Sequence, residues 1–591
     1  MGKTILGSSI LLALTSTLST AAWADNHAIS PVQCKVAVEA PESDVAATGL
    51  ALIGSVGTQA PFDSSAAEIV SYDDCTDTLF VVNANQQRVD VIKLNDENRP
   101  AFSGAIDLNL AAKAADIAIG AANSVSTFAG LVAVAIENDN KQDNGIVALY
   151  RADTLALVTT FPAGALPDMV AFSDDGSYIA AANEGEPNDT YSVDPEGSVT
   201  LIDLQNGIEK AAITQINFRA FNHGSDRHDE VSDDVRISAP NATVAQDLEP
   251  EYLAFADNGK LYVALQENNA IAAIDVGSAR VDALFGLGGK SWQDASLDAS
   301  NKDGLVGNFK QYPQLEGLYM PDSIDTFTID DATYIVTANE GDGREYGFDT
   351  TQAACADVGY QWDGDDFSGT ALYSTEQDFC IAYIDEVRGA DLTVDPEHPL
   401  AEALADKAQL GRLKVINPDQ TLDADDTVYA FGARSFSIWD ESGELVFDSG
   451  STIAHRAFEA DKARFNSTND SNNSADDRSD DKGAEPEAIT VASINDRFYV
   501  LVGLERQGGI MMFDVTTPAQ SEFITYINNR HFDYDVCTQV NSDGECDSGT
   551  YGAAAGDLAP ESVIHFERNG QHLVAVGNEV SGTTSVYSVE F

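Results

Sequence analysis

Carboxylates recur in this chain at positions that a repeating β-structure would bring together. Glu251 leads the run Tyr252-Leu253-Ala254-Phe255, and Glu267 closes the next run, Leu261–Gln266. The same lead-and-close arrangement joins Asp168 to Glu184, Asp322 to Glu340, Glu487 to Glu505 and Glu561 to Glu579, with weaker copies starting at Glu68 and Asp116. If each lead residue begins an inner strand and each closing residue ends its antiparallel neighbour, these side chains share one rim. Crowded carboxylates raise one another's pKa unless cations compensate. Ca²⁺, which takes roughly six to eight oxygen ligands, is the cation that such a rim suits. The expected metal ligands are therefore Glu184, Glu251, Glu267, Glu340, Glu487, Glu505, Glu561 and Glu579. A purely structural reading stays open, because acidic residues at strand starts also cap turns.

Basic residues are scarce, 32 Lys+Arg against 96 Asp+Glu, so arginines inside the acidic motifs stand out: Arg344, Arg434, Arg478, Arg506 and Arg530. A guanidinium binds phosphate or carboxylate in a bidentate fork. Beside a carboxylate-bound metal, Arg344, Arg506 and Arg434 would suit metal-assisted phosphoester hydrolysis, the metal activating water and the arginines holding the anion. The alternative is salt bridges between neighbouring sheets. Other motifs fail. There is no G-x-S-x-G and no H-E-x-x-H, and Phe285–Ser291 lacks the first glycine of a phosphate loop, with Leu284 in its place. Asp298–Gly304 resembles part of an EF-hand loop, but the register fails at Ala299 and Lys310; a looser calcium loop stays open. His223 and His228 lie in an acidic stretch that reads either as a metal site or as a solvated loop.

The elements that would position these residues are short strands separated by turns, in units of three or four. That pattern predicts an all-β fold, a β-propeller, with eight blades favoured and seven as the alternative because the unit near Arg434–Asp440 is ambiguous. The final strand, Thr583–Phe591, is expected beside Gly49–Val56 to close the ring. Long insertions at about 205–247, 280–318, 345–382, 386–425 and 455–483 are expected to roof one face. The apolar fraction, 43%, is that of a folded protein, and a net charge of -64 disfavours nucleic acid and anionic membranes as partners. Residues 1–24 read as a signal peptide ahead of a single domain, 25–591, with no membrane span, which points to a secreted or periplasmic protein. The spacing of the six cysteines suggests Cys34–Cys75, Cys355–Cys380 and Cys537–Cys546 as disulfides.

Five segments in order carry a resemblance. They are Asn183-Glu184-Gly185-Glu186-Pro187, Ala338–Glu345, Phe431–Phe436, Ser479–Glu487 and Gly577–Thr584. Together they resemble the choice-of-anchor I family of exported proteins, related to mesenchyme-specific cell-surface glycoproteins and to chains described as alkaline phosphatases. The resemblance implies a secreted propeller. The leading functional expectation is a calcium-dependent phosphomonoesterase acting on a small phosphoester. The alternatives are a recognition propeller with structural Ca²⁺ that binds an extracellular surface ligand, and a propeller esterase or lactonase.

Overall fold

The computed structural model describes residues 32, 34, 44–58, 61–239, 241–363, 378–418, 420–471, 474–539 and 551–591. The short runs of Val, Ile, Ala and aromatic residues form antiparallel strands, as their β-branched and alternating character dictates. Among the described residues, seven four-stranded sheets stand around a central channel. Their inner strands are Ala66–Asp73, Ile119–Phe128, Pro167–Phe172, Leu253–Phe255, Ile324–Ile329, Pro486–Ile494 and Pro560–Arg568. Each inner strand touches the next, and the last touches the first, so the ring closes. The closing sheet is completed by the N-terminal strand Gly49–Gly57, which pairs antiparallel with Thr583–Glu590 as expected.

The core lies between neighbouring sheets. Val147 and Leu149 of the second sheet pack on Ile179, Ala181 and Ile202 of the third, and Leu501 and Met512 of the sixth on Val574 and Tyr587 of the seventh. Each buried Val or Leu contributes about 1.5–3 kcal/mol by leaving water.

The eighth repeat unit counted in the sequence has no sheet of its own. Ser435–Asp440 pairs with Ala332–Asn339, and Leu445–Asp448 follows it, so both strands complete the fifth sheet. A long insertion between the second and third strands of that sheet splits the repeat, and its second half then reads as a separate unit. The insertions themselves hold structure. One five-stranded sheet runs through Gly289–Ser291, Leu315–Leu318, Val428–Ala430, Lys414–Ile416 and Glu386–Arg388, and a three-stranded one joins Glu345–Thr350, Asp378–Ile384 and Gln361–Asp363. All the long insertions fall in second-to-third or fourth-to-first strand connections. In an antiparallel ring these open on the side where inner strands start, which is the side of the acidic residues.

Cys34–Cys75 and Cys355–Cys380 are disulfides, as the spacing suggested. Cys546 of the third expected pair lies outside the described residues, as does the expected signal peptide. Among the described residues, no helix is long and apolar enough to cross a membrane.

Candidate metal centre

Four of the acidic lead residues owe their positions to an irregularity repeated around the ring. Pairing runs Pro167↔Asn183 and resumes at Val170↔Ala181, and the same slip follows Ala66, Pro486 and Pro560. These slips bracket Glu68, Asp168, Glu487 and Glu561, and a β-bulge at such a point re-aims the side chain off the regular pleat. Two residues before the acidic lead, Leu166, Met320, Glu485 and Ala559 have φ of 47°, 43°, 55° and 57°. Left-handed backbone at non-glycine residues costs about 1–3 kcal/mol each and persists where the surroundings enforce it. The result is an acidic mouth on a channel of about 270 Å³ lined by all seven inner strands. Glu68, Asp168 and Glu561 face a smaller cavity of about 120 Å³ together with Met169 and Tyr252.

Three carboxylate trios converge at this mouth: Glu184, Glu251 and Glu267; Asp322, Glu340 and Glu487; Glu340, Glu485 and Glu505. Within each, one oxygen per residue lies within 4.8 Å of the others, and Glu340 belongs to two trios. Glu251, Glu267 and Glu487 each keep a buried Oε2 with no hydrogen-bond partner, and so does Glu249 at Oε1. Burial, opposed by Arg344, pushes Glu267 up to about 7. Burial, opposed by Lys482, pushes Glu340 up to about 7, and burial opposed by Arg506 takes Glu505 to about 8. Glu184, Glu251, Glu487 and Glu561 rise well above the usual range through burial and then through a neighbouring carboxylate, Glu186, Glu267, Glu561 and Glu579 respectively. Glu485 goes the other way. Burial raises it, but Lys482, Arg478 and Arg506 together more than offset that and hold it well below the usual range.

The arginines expected to hold an anion divide. Arg344 is fully buried and donates every guanidinium N–H within the protein. Nε and Nη2 reach Glu249 Oε2 (3.0 and 2.7 Å), Nη1 reaches Asp247 Oδ1 (3.0 Å) and Ser238 Oγ (2.7 Å), and Nη2 also reaches the Asp247 carbonyl (2.7 Å). It has nothing left for a phosphate, so its expected catalytic role is corrected to that of an internal tie. Arg434 is buried too and donates to the carbonyls of Asp298 (2.9 Å), Ser479 (3.1 Å) and Asp481, so the anion-holding role expected of it is also replaced by a structural one. Arg506 differs. Its Nε faces Glu505 (3.1 Å) and Glu485 (3.3 Å), its Nη1 donates to Asn469 Oδ1 (3.0 Å), and its side chain is 32% exposed, so it is the most accessible of the three.

The model of the choice-of-anchor I domain matches residues 68–518. This chain belongs to the choice-of-anchor I family. It is 27% identical over 256 residues to the mesenchyme-specific cell surface glycoprotein of Strongylocentrotus purpuratus, covering 39% of this chain and 30% of that one. It is 27% identical over 198 residues to gigasin-3a of Magallana gigas, covering 31% of this chain and 65% of that one. The chain thus spans less than two thirds of either relative. Among solved structures it is similar to hydrazine synthase of Kuenenia stuttgartiensis (TM-score 0.39, 11% identity, 90% of this chain and 96% of that one). A virginiamycin B lyase from Staphylococcus aureus gives TM-score 0.36 at 8% identity, over 93% and 98% of the two chains.

The matched choice-of-anchor I span holds every member of the three trios, whereas Glu561 and Glu579 lie beyond it. Glu561 sits beside Glu487 and Glu579 in the channel mouth, while Glu579 stands outside the trios and accepts from Ser65 Oγ (3.1 Å). The sequence reading missed Glu485 and Lys482. Lys482 Nζ is buried among Glu340 (2.6 Å), Asp342 (3.3 Å) and Glu485 (3.4 Å), the principal cation of the second and third trios. The signal was available in Asp481-Lys482-Gly483-Ala484-Glu485-Pro486-Glu487, a lysine and a further glutamate directly upstream of a lead residue.

Proposed function

We propose that the chain is an exported, divalent-cation-dependent hydrolase of phosphomonoesters, with Ca²⁺ as the first candidate cation. The observation that carries this reading is the pair of trios sharing Glu340, where Glu487 Oε2 is buried and unpartnered, as are Glu251 and Glu267 Oε2 in the neighbouring trio. An all-oxygen, carboxylate-rich donor set fits a hard divalent ion. Asp322, Glu340, Glu487 and Glu505 would hold it, with Glu184, Glu251 and Glu267 as a further position. Once bound, such an ion supplies Lewis acidity and a more acidic water. The chain's own residues do the rest. Lys482 and Arg478 fix Glu485, Glu505 orients Arg506, and the partly exposed guanidinium of Arg506 binds the substrate's phosphate oxygens. The disulfides support export, since they persist in oxidising compartments.

A second reading is a cell-surface recognition propeller in which the cation is structural. Two observations favour it: Arg344 and Arg434 are engaged within the protein, and one relative is named a cell surface glycoprotein. Elemental analysis of the purified protein, followed by release from a chromogenic phosphate monoester, separates the two. The hydrolase reading expects stoichiometric divalent metal, turnover abolished by chelation and restored by Ca²⁺, and no turnover in Glu340→Gln. Bound metal without turnover, after metal is restored, leaves the recognition reading standing alone.

A further inference from the structure

A second group of oxygen donors lies away from the rim, where two insertions meet. The loop 298–308 folds around Asp298, whose Oδ2 accepts the Asn308 N–H (2.8 Å) while the amides of Ser300 and Gly307 also point at its carboxylate. Across from it, Asn466 Nδ2 donates to Ser479 Oγ (2.9 Å), which donates to Asp476 Oδ1 (2.8 Å). The carboxyls of Asp298 and Asp476 stand within hydrogen-bonding reach of each other, and Asp303 bears on both. Asp298, Asn466 and Asp476 are 1%, 2% and 7% exposed. Asp298 Oδ1 and Asn466 Oδ1 are buried acceptors with no partner, and both residues line one narrow cavity. Arg434 lines the same cavity and its charge bears on Asp298, but it spends its N–H groups on main-chain carbonyls, and no ion pair reaches the carboxylates of Asp298 or Asp476 among the described residues.

Two juxtaposed buried carboxylates repel, the Arg434 charge bears on Asp298 without forming an ion pair, and an orphaned buried acceptor adds the cost of its lost hydration. One oxygen-seeking cation removes both penalties. We propose that a hard divalent cation, Ca²⁺ by its donor set, binds between the loop 298–308 and the segment 465–479 through Asp298, Asp476 and Asn466, with Asp303 beside them. The loop departs from an EF-hand at Ala299 and Lys310, so the ligands come from two distant segments rather than from one continuous loop. Such an ion would pin the strand of chain that runs on through Arg478 to Lys482 and Glu485, the residues that balance the rim's charge. This inference stands apart from the hydrolase reading and survives its failure.

Terbium titration of chelator-stripped, full-length protein tests it, because Trp292 lines the same cavity as Asp298 and Asn466. Tryptophan-excited terbium emission is expected to vanish in Trp292→Phe. It is expected to require roughly tenfold or more terbium in Asp476→Asn and Asp298→Asn, as the charge of the ligand set falls, and to persist in Glu340→Gln. Asp476→Asn keeps the acceptor for Ser479 and removes a like charge, so its melting temperature in chelator should equal or exceed that of the parent. Unchanged isotherms in both Asp variants, emission lost only in Glu340→Gln, or a lower melting temperature of Asp476→Asn in chelator would each overturn the site.

Discussion

Arg344 has no solvent exposure and lies between Asp247 and Glu249, so truncating it strands two buried carboxylates. Removing one partner of a buried ion pair costs about 3–5 kcal/mol. Arg344→Ala should therefore lower the urea midpoint by a corresponding amount, with an unchanged denaturant slope. Arg506 is a third exposed and shares Glu485 with Lys482 and Arg478, so Arg506→Ala should lower the urea midpoint by less than Arg344→Ala does. If the arginine holds the phosphate, that variant loses roughly 100-fold in kcat/KM, and Arg506→Lys recovers part of it. Equal losses of activity per folded molecule in Arg344→Ala and Arg506→Ala would contradict this division of labour. The division was not legible in the sequence. Both residues sit beside a motif glutamate, but Arg344 meets partners 95 and 97 positions away, which the packing of the fifth sheet against the fourth brings to it.

Between residue and ring, the end of the second strand of the fifth sheet is fixed by a close backbone approach. Gly341 and Gly432 have φ of 87° and 73°, and a Cβ on Gly432 would collide with the carbonyl oxygen of Glu340. Gly432→Ala should push Glu340 out of both its trios, and calorimetric Ca²⁺ titration should show weaker binding. Gly259 is the control. Its φ is 78° and a Cβ there meets nothing within 4 Å, so Gly259→Ala adds only about 1–2 kcal/mol of backbone strain and leaves Ca²⁺ binding intact. At this scale the sequence is most readable where each repeat is continuous. The pairs Asp168/Glu184 and Glu487/Glu505 announced their sheets, because short alternating runs flanked by turns have few other solutions. The fifth sheet was misread because Asn339 and Ser435 are neighbours in space across almost a hundred residues of insertion. Lys482 escaped notice for a related reason: a single lysine in an acidic loop looks solvated until the insertion folds back onto Glu340.

For the whole molecule, the rim is a store of protons that cations can displace. Glu267 and Glu340 are raised to about 7 and Glu505 to about 8, from an ordinary 4.5. Between those values the folded protein binds protons that the unfolded chain has released, so stability must fall as pH rises. The contribution is whole below about pH 4.5 and is lost as pH passes through about 7 to 8. Glu485 does not change this slope, since its depressed carboxyl is ionised in both states across that window. The melting temperature in chelator is therefore expected to decline from about pH 5 to about pH 8, beyond what the general repulsion of a chain of charge -64 produces. Millimolar Ca²⁺ at matched ionic strength should flatten or reverse that decline, because the ion competes with protons for the same oxygens and wins as pH rises. Parallel profiles with and without Ca²⁺ would mean that the carboxylates at the channel mouth hold no cation, and that their crowding serves the fold alone.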